Sequence, residues 1–134
     1  MKHVLALVAC IALCSCATPP AARTVTSQDN GHELVLTVGQ ALLIELPSNH
    51  TTGYAWTVGT SAQSVLKQDR TPVYQQDASA PGRVGAGGIE IWRFHAVKAG
   101  QETLRLEYVR PWERIQSDVK TATVKVSVKP GTTK

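Results

Sequence analysis

Short runs of alternating apolar and polar residues fill the chain from residue 32 onward, and turn-forming residues separate the runs. In the run 32–38, Leu34, Leu36 and Val38 occupy every second position, which is typical of a half-buried strand. Similar runs cover 41–46, 54–58, 64–68, 72–75, 89–97, 102–109 and 119–128. No stretch after Leu13 has the 3.6-residue period of an amphipathic helix. The pattern predicts an all-β domain of seven or eight strands.

Short strands joined by turns favour an immunoglobulin-like antiparallel β-sandwich, with a small barrel as the alternative. The alternation assigns these residues to the core: Leu42, Ile44, Leu46, Trp92, Phe94, Ala96, Leu104, Leu106, Tyr108, Ala122, Val124, Val126 and Val128. In a sandwich of this kind every second loop lies at the same end. Even numbers of strands separate the loops near Thr51, Gly85 and Trp112, so we expect all three at one end.

The first fifteen residues have the layout of a secretory signal peptide. A basic start precedes an apolar run, 4–13, that is too short to span a bilayer. Its end, Leu13-Cys14-Ser15-Cys16, resembles the bacterial lipobox, in which the chain is cleaved before a lipidated Cys. We therefore predict a lipid on Cys16. Cleavage before Cys10 would leave too short an apolar core, and a secreted protein cleaved elsewhere is the alternative.

The chain divides into three segments: a signal peptide, 1–15; a flexible tether, 16–31; and a folded domain, 32–130. The tether is rich in small and polar residues and offers little to bury. All three Cys precede residue 17, so the domain can form no disulfide and no thiolate zinc site. An acylated Cys16 would hold the domain on a membrane. Ala17, by resemblance to the sorting rules of enteric bacteria, indicates the outer membrane, facing the periplasm.

The remaining composition excludes several functions. The signal peptide contains Lys2, one of the 14 basic residues, and none of the 10 acidic ones, so the mature chain carries about +3. Its Lys and Arg are scattered, and we expect no nucleic-acid partner. The four His lack metal-ligand spacing, and neither a G-x-S-x-G motif nor a free Cys nucleophile is present. We expect no enzymatic activity, no metal and no cofactor.

Three loops carry the candidate chemistry. The first, Asn49-His50-Thr51-Thr52-Gly53, presents compact polar side chains and a Gly that tolerates unusual backbone angles. The second, Gly85-Ala86-Gly87-Gly88, has almost no side chains, so its backbone could approach a partner closely. The third, Arg110-Pro111-Trp112, combines two side chains common at binding hot spots. Taken singly, each has a plainer interpretation: an ordinary turn, a flexible hairpin and a packed Trp.

Taken together, the three motifs resemble the signature loops of the chagasin-like inhibitors of papain-family cysteine peptidases. Those loops read Asn-Pro-Thr-Thr-Gly-Tyr/Phe-x-Trp, Gly-x-Gly-Gly and Arg-Pro-Trp, and the order and spacing agree here. The resemblance covers residues 32–130 and implies an immunoglobulin-like β-sandwich that inhibits its target reversibly, without a covalent bond. We expect a monomer. A non-inhibitory immunoglobulin-like module that binds a component of the cell envelope is the alternative.

The resemblance also implies roles for individual residues. Thr51 matches the residue nearest the catalytic Cys of the target, and Trp112 matches the aromatic that stacks near the target's active-site Trp. Arg110 would make polar contacts, while Tyr54 and Trp56 would support the tip from the core. The implied peptidase-binding residues are Asn49, His50, Thr51, Thr52, Gly53, Gly85, Ala86, Gly87, Gly88, Arg110, Pro111 and Trp112.

One position departs from the family pattern, because His50 stands where the family has Pro. Pro fixes φ near about −65° and limits the disorder of the unbound loop. We therefore expect a looser tip, with binding weakened by about 0.5–1 kcal/mol. An imidazole at this position also allows a pH-dependent contact.

Overall fold

The computed structural model describes residues 18–59, 64–79 and 81–131, so the predicted signal peptide and Cys16 lie outside the described residues. The described strands are β1 (Arg23–Thr26), β2 (Glu33–Thr37), β3 (Ala41–Ser48), β4 (Ala55–Val58), β5 (Leu66–Gln68), β6 (Val73–Gln76), β7 (Gly88–Ala96), β8 (Gly100–Val109) and β9 (Lys120–Lys129). Two short 3₁₀ turns span Ser27–Asp29 and His50–Thr52. No helix within the described ranges has the length and apolar character needed to cross a membrane.

The strands form two sheets that enclose one core. Sheet 1 has the order β1-β3-β7-β5, and β6 also pairs with β7; sheet 2 has the order β2-β9-β8-β4. Buried side chains from both sheets form a single apolar cluster, which confirms the predicted sandwich over the barrel. The sheets are mixed rather than purely antiparallel, because β1 pairs parallel with β3 and β2 pairs parallel with β9.

The core contains the side chains that the alternation assigned to it, together with others such as Val65 and Leu66. Phe94 is fully buried in this cluster, to which residues of both sheets contribute. Of the predicted core residues, Tyr108 is partly buried and packs against the cluster, and the others are buried. Full burial of one large aliphatic or aromatic side chain contributes about 1.5–3 kcal/mol. The period-2 pattern therefore predicted both the strands and the faces that they bury.

Strand β1 corrects the prediction of a flexible tether over 16–31. It pairs with β3 from Arg23 opposite Leu42 to Thr26 opposite Glu45. Val25 is 4% exposed and belongs to the core. The ordered domain therefore begins before residue 32, and β1 is a strand beyond the seven or eight predicted. A single buried Val among small and polar residues gives no alternation that sequence reading could detect.

The loops of interest meet at one end of the sandwich. Strand β3 ends at Ser48, opposite Gly88, where β7 begins. Strand β8 ends at Val109, opposite Ala55, where β4 begins. Loops 49–54, 77–87 and 110–119 therefore share this end, which we call the loop end, as the strand count predicted.

Candidate functional site

The first loop is shaped by Asn49. Its side-chain Oδ1 accepts hydrogen bonds from Thr51 N (3.1 Å) and Thr51 Oγ1 (2.6 Å), and its carbonyl accepts from Thr52 N and Oγ1. Asn is a favoured N-cap because a short side chain can satisfy the free N–H groups of the first turn. The turn closes at Gly53, whose N–H donates to His50 O at 3.1 Å. Thr51 and Thr52 are exposed at its tip.

Asn49 also joins this loop to two other parts of the molecule. Its backbone N–H donates to the Tyr108 hydroxyl on β8 (2.8 Å), and its Nδ2 donates to the carbonyl of Gly85 (3.1 Å). The side chain thereby caps the turn with one atom and reaches the neighbouring loop with the other. Sequence analysis named Asn49 as a site residue but did not predict this connecting role.

The glycine motif divides into two parts. Gly88 belongs to β7, where it pairs with Gln76 of β6, and a Cβ at this position would collide with the carbonyl oxygen of Gln75. Its missing side chain therefore allows the two strands to pair. Gly85, by contrast, has φ +83° and open space around it. Gly85 is exposed, whereas Ala86, Gly87 and Gly88 are half-buried, and Val84 beside Gly85 is fully exposed.

Asp77 begins this second loop with a small turn. Ser79 donates its hydroxyl (2.7 Å) and its N–H (2.9 Å) to Asp77 Oδ1. These two hydrogen bonds favour the ionised carboxyl and lower the pKa of Asp77. The loop is therefore anchored near its first residue.

Arg110 links the third loop to the first. Its Nε donates to Thr52 O at 3.2 Å, its Nη1 donates to Glu113 Oε1 at 2.8 Å, and its guanidinium carbon lies 4.4 Å from the centre of the Tyr54 ring. The hydrogen bond with Glu113 is the main cause of a raised pKa of Arg110. The resemblance implied contacts with a target for Arg110, whereas here its donors join two loops of its own domain.

Trp112 lies across Gly53. Its ring atoms Cη2 and Cζ2 would be 2.6 and 2.8 Å from a Cβ at that position, and Gly53 has φ +80°. Gly53 is thus required both by its backbone conformation and by the ring that covers it. Trp112 itself is 68% exposed. Trp112 thus contacts its own domain at Gly53 but presents most of its side chain to solvent.

The third loop is closed by a residue that sequence analysis did not select. The Gln116 side chain accepts from Arg110 N (3.2 Å) and donates to Arg110 O (2.9 Å) and Glu113 O (3.3 Å). One amide group thus holds both sides of the bend that presents Trp112. No motif signals such a contact, since a Gln in a polar loop is unremarkable in the sequence.

Three aromatic side chains, those of Tyr54, Trp56 and Tyr108, pack together next to the first loop. Tyr108 stacks with Tyr54 at 5.3 Å and lies 5.1 Å from Trp56. Trp56 is buried and donates its Nε1–H to Pro47 O at 2.9 Å. The structure thus brings Tyr54 and Trp56 beneath the tip, in the supporting position that the resemblance implied for them.

His50 turns away from the tip towards sheet 1. Its Nε2 lies 2.8 Å from Glu90 Oε1, and its ring stacks on Tyr74 at 4.0 Å with an interplanar angle of 18°. Glu90 is buried, and Ser48 Oγ also donates to it, at 2.6 Å. Sequence analysis missed Glu90 and Tyr74. The signal for Glu90 was present, because it shares the core-facing side of β7 with Trp92.

The structure therefore brings the predicted site residues together at the loop end. Gly88 lies there as the first residue of β7, opposite Ser48, and the half-exposed His50 ring points towards Glu90 and Tyr74 of sheet 1. Hydrogen bonds connect the first loop directly to the other two. No group of three potential metal ligands occurs within the described ranges. The exposed surface of the loop end offers threonine hydroxyls, glycine backbone and one large aromatic, a combination suited to binding rather than to covalent chemistry.

Comparisons with known proteins agree with this arrangement. Residues 35–126 match the family described as "Chagasin family peptidase inhibitor I42". Chagasin from Trypanosoma cruzi is 33% identical over 101 residues, which cover 75% of this chain and 92% of that protein. The crystal structure of the cysteine protease inhibitor EhICP2 from Entamoeba histolytica superposes with a TM-score of 0.72 and 24% identity, covering 81% of this chain and 96% of that one. PbICP-C, solved in complex with falcipain-2, has a TM-score of 0.52 and 18% identity, covering 81% and 89%.

Proposed function

The chain belongs to the chagasin family of peptidase inhibitors, and from that premise we propose that its loop end blocks the active-site cleft of a papain-family cysteine peptidase. Membership of this family makes the protein an inhibitor and not an enzyme. In this proposal the three loops act together as one wedge, which binds reversibly and forms no covalent bond with the target.

The observation that carries the proposal is the pair of hydrogen bonds between loops. Asn49 Nδ2 donates to Gly85 O at 3.1 Å, and Arg110 Nε donates to Thr52 O at 3.2 Å. Loops that are already ordered lose little conformational entropy on binding, which leaves more of the contact energy as affinity. An arrangement fixed before binding is what a competitive, non-covalent inhibitor requires.

The chemistry of the tip fits a cleft that accepts extended peptides. Residues 50–52 form a 3₁₀ turn, so the backbone does not offer the extended conformation that a peptidase cleaves. Thr51 is narrow and exposed, and its hydroxyl is already bonded to Asn49. Trp112 beside it can act as an anchor, since exposed Trp residues are frequent hot spots. An interface of the standard size buries about 1,600 Å² in total.

The proposal is tested by titrating papain with the non-lipidated chain from residue 17 onward, which keeps β1. We expect tight, reversible, competitive inhibition that is lost when Thr51→Trp fills the tip or Trp112→Ala removes the anchor. Thr103→Trp is the matched control, because Thr103 is exposed on β8 far from the loop end. No inhibition at micromolar concentration would contradict the proposal and favour an envelope-binding module.

We further propose that the mature protein is anchored by lipid on Cys16, in the cell envelope and at the outer membrane facing the periplasm. The Leu-Cys-Ser-Cys motif and the apolar run before it support this proposal. Labelling with palmitate in a bacterial host should mark the protein, and Cys16→Ser should abolish the label while Cys10→Ser retains it. A label that persists in Cys16→Ser would contradict lipidation at this residue, and membrane fractionation tests the location.

A further inference from the structure

We propose that His50 is a positioning residue that fastens the Thr51 tip to sheet 1 through Glu90 and Tyr74. The proposal rests on the inhibitory function proposed above and deepens it. It replaces the sequence-based expectation of a loose tip, because a side-chain attachment takes over the role of the ring of Pro.

The first element of this attachment is the buried carboxylate of Glu90. Its side chain is only 4% exposed, and it occupies a core-facing position of β7. Ser48 Oγ (2.6 Å), Trp56 N (3.3 Å) and His50 Nε2 (2.8 Å) all approach the same oxygen, Oε1. A buried carboxylate without such partners would carry a large desolvation cost. Among the described residues, His50 is the basic side chain that contacts Glu90.

The second element is the protonation state of the ring. An ionised carboxylate can only accept hydrogen bonds, so Nε2 of His50 must carry the hydrogen. Both the neutral Nε2–H tautomer and the imidazolium can donate, but the imidazolium adds charge and strengthens the bond. The attachment therefore does not require a charged ring, and a charged ring would strengthen it.

The third element is Tyr74, whose ring stacks on one face of the His50 ring. The two rings lie 4.0 Å apart, and Tyr74 belongs to β6 while Glu90 belongs to β7. In the described part of the chain, the titratable groups in contact with the His50 ring are Glu90 and Tyr74. The imidazole is thus held between two neighbouring strands of sheet 1. Because Thr51 is the next residue, fixing His50 restricts the tip directly.

The backbone at this position would also accept the Pro of the family. His50 is the first residue of the 3₁₀ turn, a position where Pro is favoured, and Asn49 before it is extended, with φ −139° and ψ 94°. Pro would order the turn through its ring but would leave Glu90 without its imidazole partner. The family pattern and this chain therefore reach an ordered tip by different means.

Backbone order in the free protein tests the attachment without any peptidase. We expect His50→Ala to lower the ¹⁵N order parameters of the Thr51 and Thr52 amides, Glu90→Gln to lower them less, and His50→Gln, which retains a donor, to restore part of the order. His95→Ala is the matched control, because His95 also faces a carboxylate, that of Asp69 just after β5 at 3.6 Å, but lies away from the loop end. Unchanged order in His50→Ala would overturn the proposal, whether or not the protein inhibits papain.

The pH dependence of inhibition gives a second, independent readout. We expect His50→Ala to raise the inhibition constant about threefold to tenfold near pH 5 and less near pH 7.5, the scale of one charge-assisted contact at a half-exposed ring. Taking the ratio to the wild-type constant at each pH cancels the titration of the peptidase. In the Glu90→Gln background, the effect of His50→Ala should not vary with pH. The ratio for His95→Ala should be one at each pH. A ratio independent of pH in His50→Ala would contradict the charged contact, whereas absence of inhibition by the wild type would contradict the proposed function instead.

Discussion

The Thr51 loop and the glycine loop lie side by side at the loop end but are held in different ways. In the Thr51 loop, Asn49 caps the turn, His50 is attached to Glu90, and Gly53 lies under Trp112. The glycine loop is joined to it by one carbonyl, that of Gly85, and carries a fully exposed Val84. We interpret the first loop as the part whose shape must be fixed before binding and the second as the part that follows the surface of the partner.

Adding one methyl group to each loop in turn is the most direct test of this difference between the two loops. Gly53 and Gly85 share a positive φ, but only Gly53 has a ring where its Cβ would lie. We expect Gly53→Ala to displace Trp112 and to raise the inhibition constant for papain about 100-fold, because it adds backbone strain to the loss of a hot-spot contact. Gly85→Ala should change the constant less than tenfold, since only the strain remains. Equal effects would contradict the difference between the loops.

Removing the connecting side chain should have the next largest effect. Asn49→Ala loses the cap and the link to Gly85, and we expect about 1–2 kcal/mol less stability to unfolding by urea. The inhibition constant should rise about tenfold to thirtyfold. Gln40→Ala is the matched control, because the Gln40 amide closes a turn at the opposite end, with Thr37 N and Ala21 O. That variant should lose stability and keep its inhibition; weakened inhibition in both would mean that stability alone matters.

The smallest effect is expected at the link between the first and third loops. Arg110→Lys keeps the charge but loses the Nε donor to Thr52 O and the planar group over Tyr54. We expect the inhibition constant to rise about threefold to fivefold, at the scale of one exposed cation–π contact. Because the pKa of Arg110 is raised further above its ordinary high value, this effect should not vary between pH 5 and 8. Arg105→Lys, which removes an exposed partner of Glu107 on β8, should have no effect.

Much of the fold and of the site could be predicted because each rests on a local pattern. The alternation at Leu42, Ile44 and Leu46 requires only neighbouring residues to reveal a buried face, and the structure buries all three. Because even numbers of strands separate the three loops, the strand count then predicts that all three lie at the same end of the sandwich. The prediction of a flexible tether over 16–31 missed β1 for the corresponding reason. Val25 is buried where β1 pairs with β3, and the local sequence does not encode that pairing.

The connections within the site could not be predicted in the same way. Asn49 meets Gly85 across 36 residues of chain, and His50 meets Glu90 across 40. Such pairs depend on the register of strands that no local pattern determines. One indication was available: Glu90 stands at a core-facing position, where an acidic residue requires partners. A search for those partners among the polar residues of the loops would have included His50.

If Cys16 carries lipid, the parallel pairing of β1 with β3 determines which end of the sandwich lies nearest the membrane. Because the two strands run the same way, the chain enters the sandwich beside the start of β3, where Gln40 holds Ala21, at the pole far from Thr51. Only residues 17–22 separate Cys16 from β1, and six extended residues reach about 20 Å. With lipid on Cys16, this short segment would keep the membrane close to the end of the sandwich where β1 begins. The loop end, with its exposed threonines, would then point away from the membrane, where a soluble peptidase can reach it.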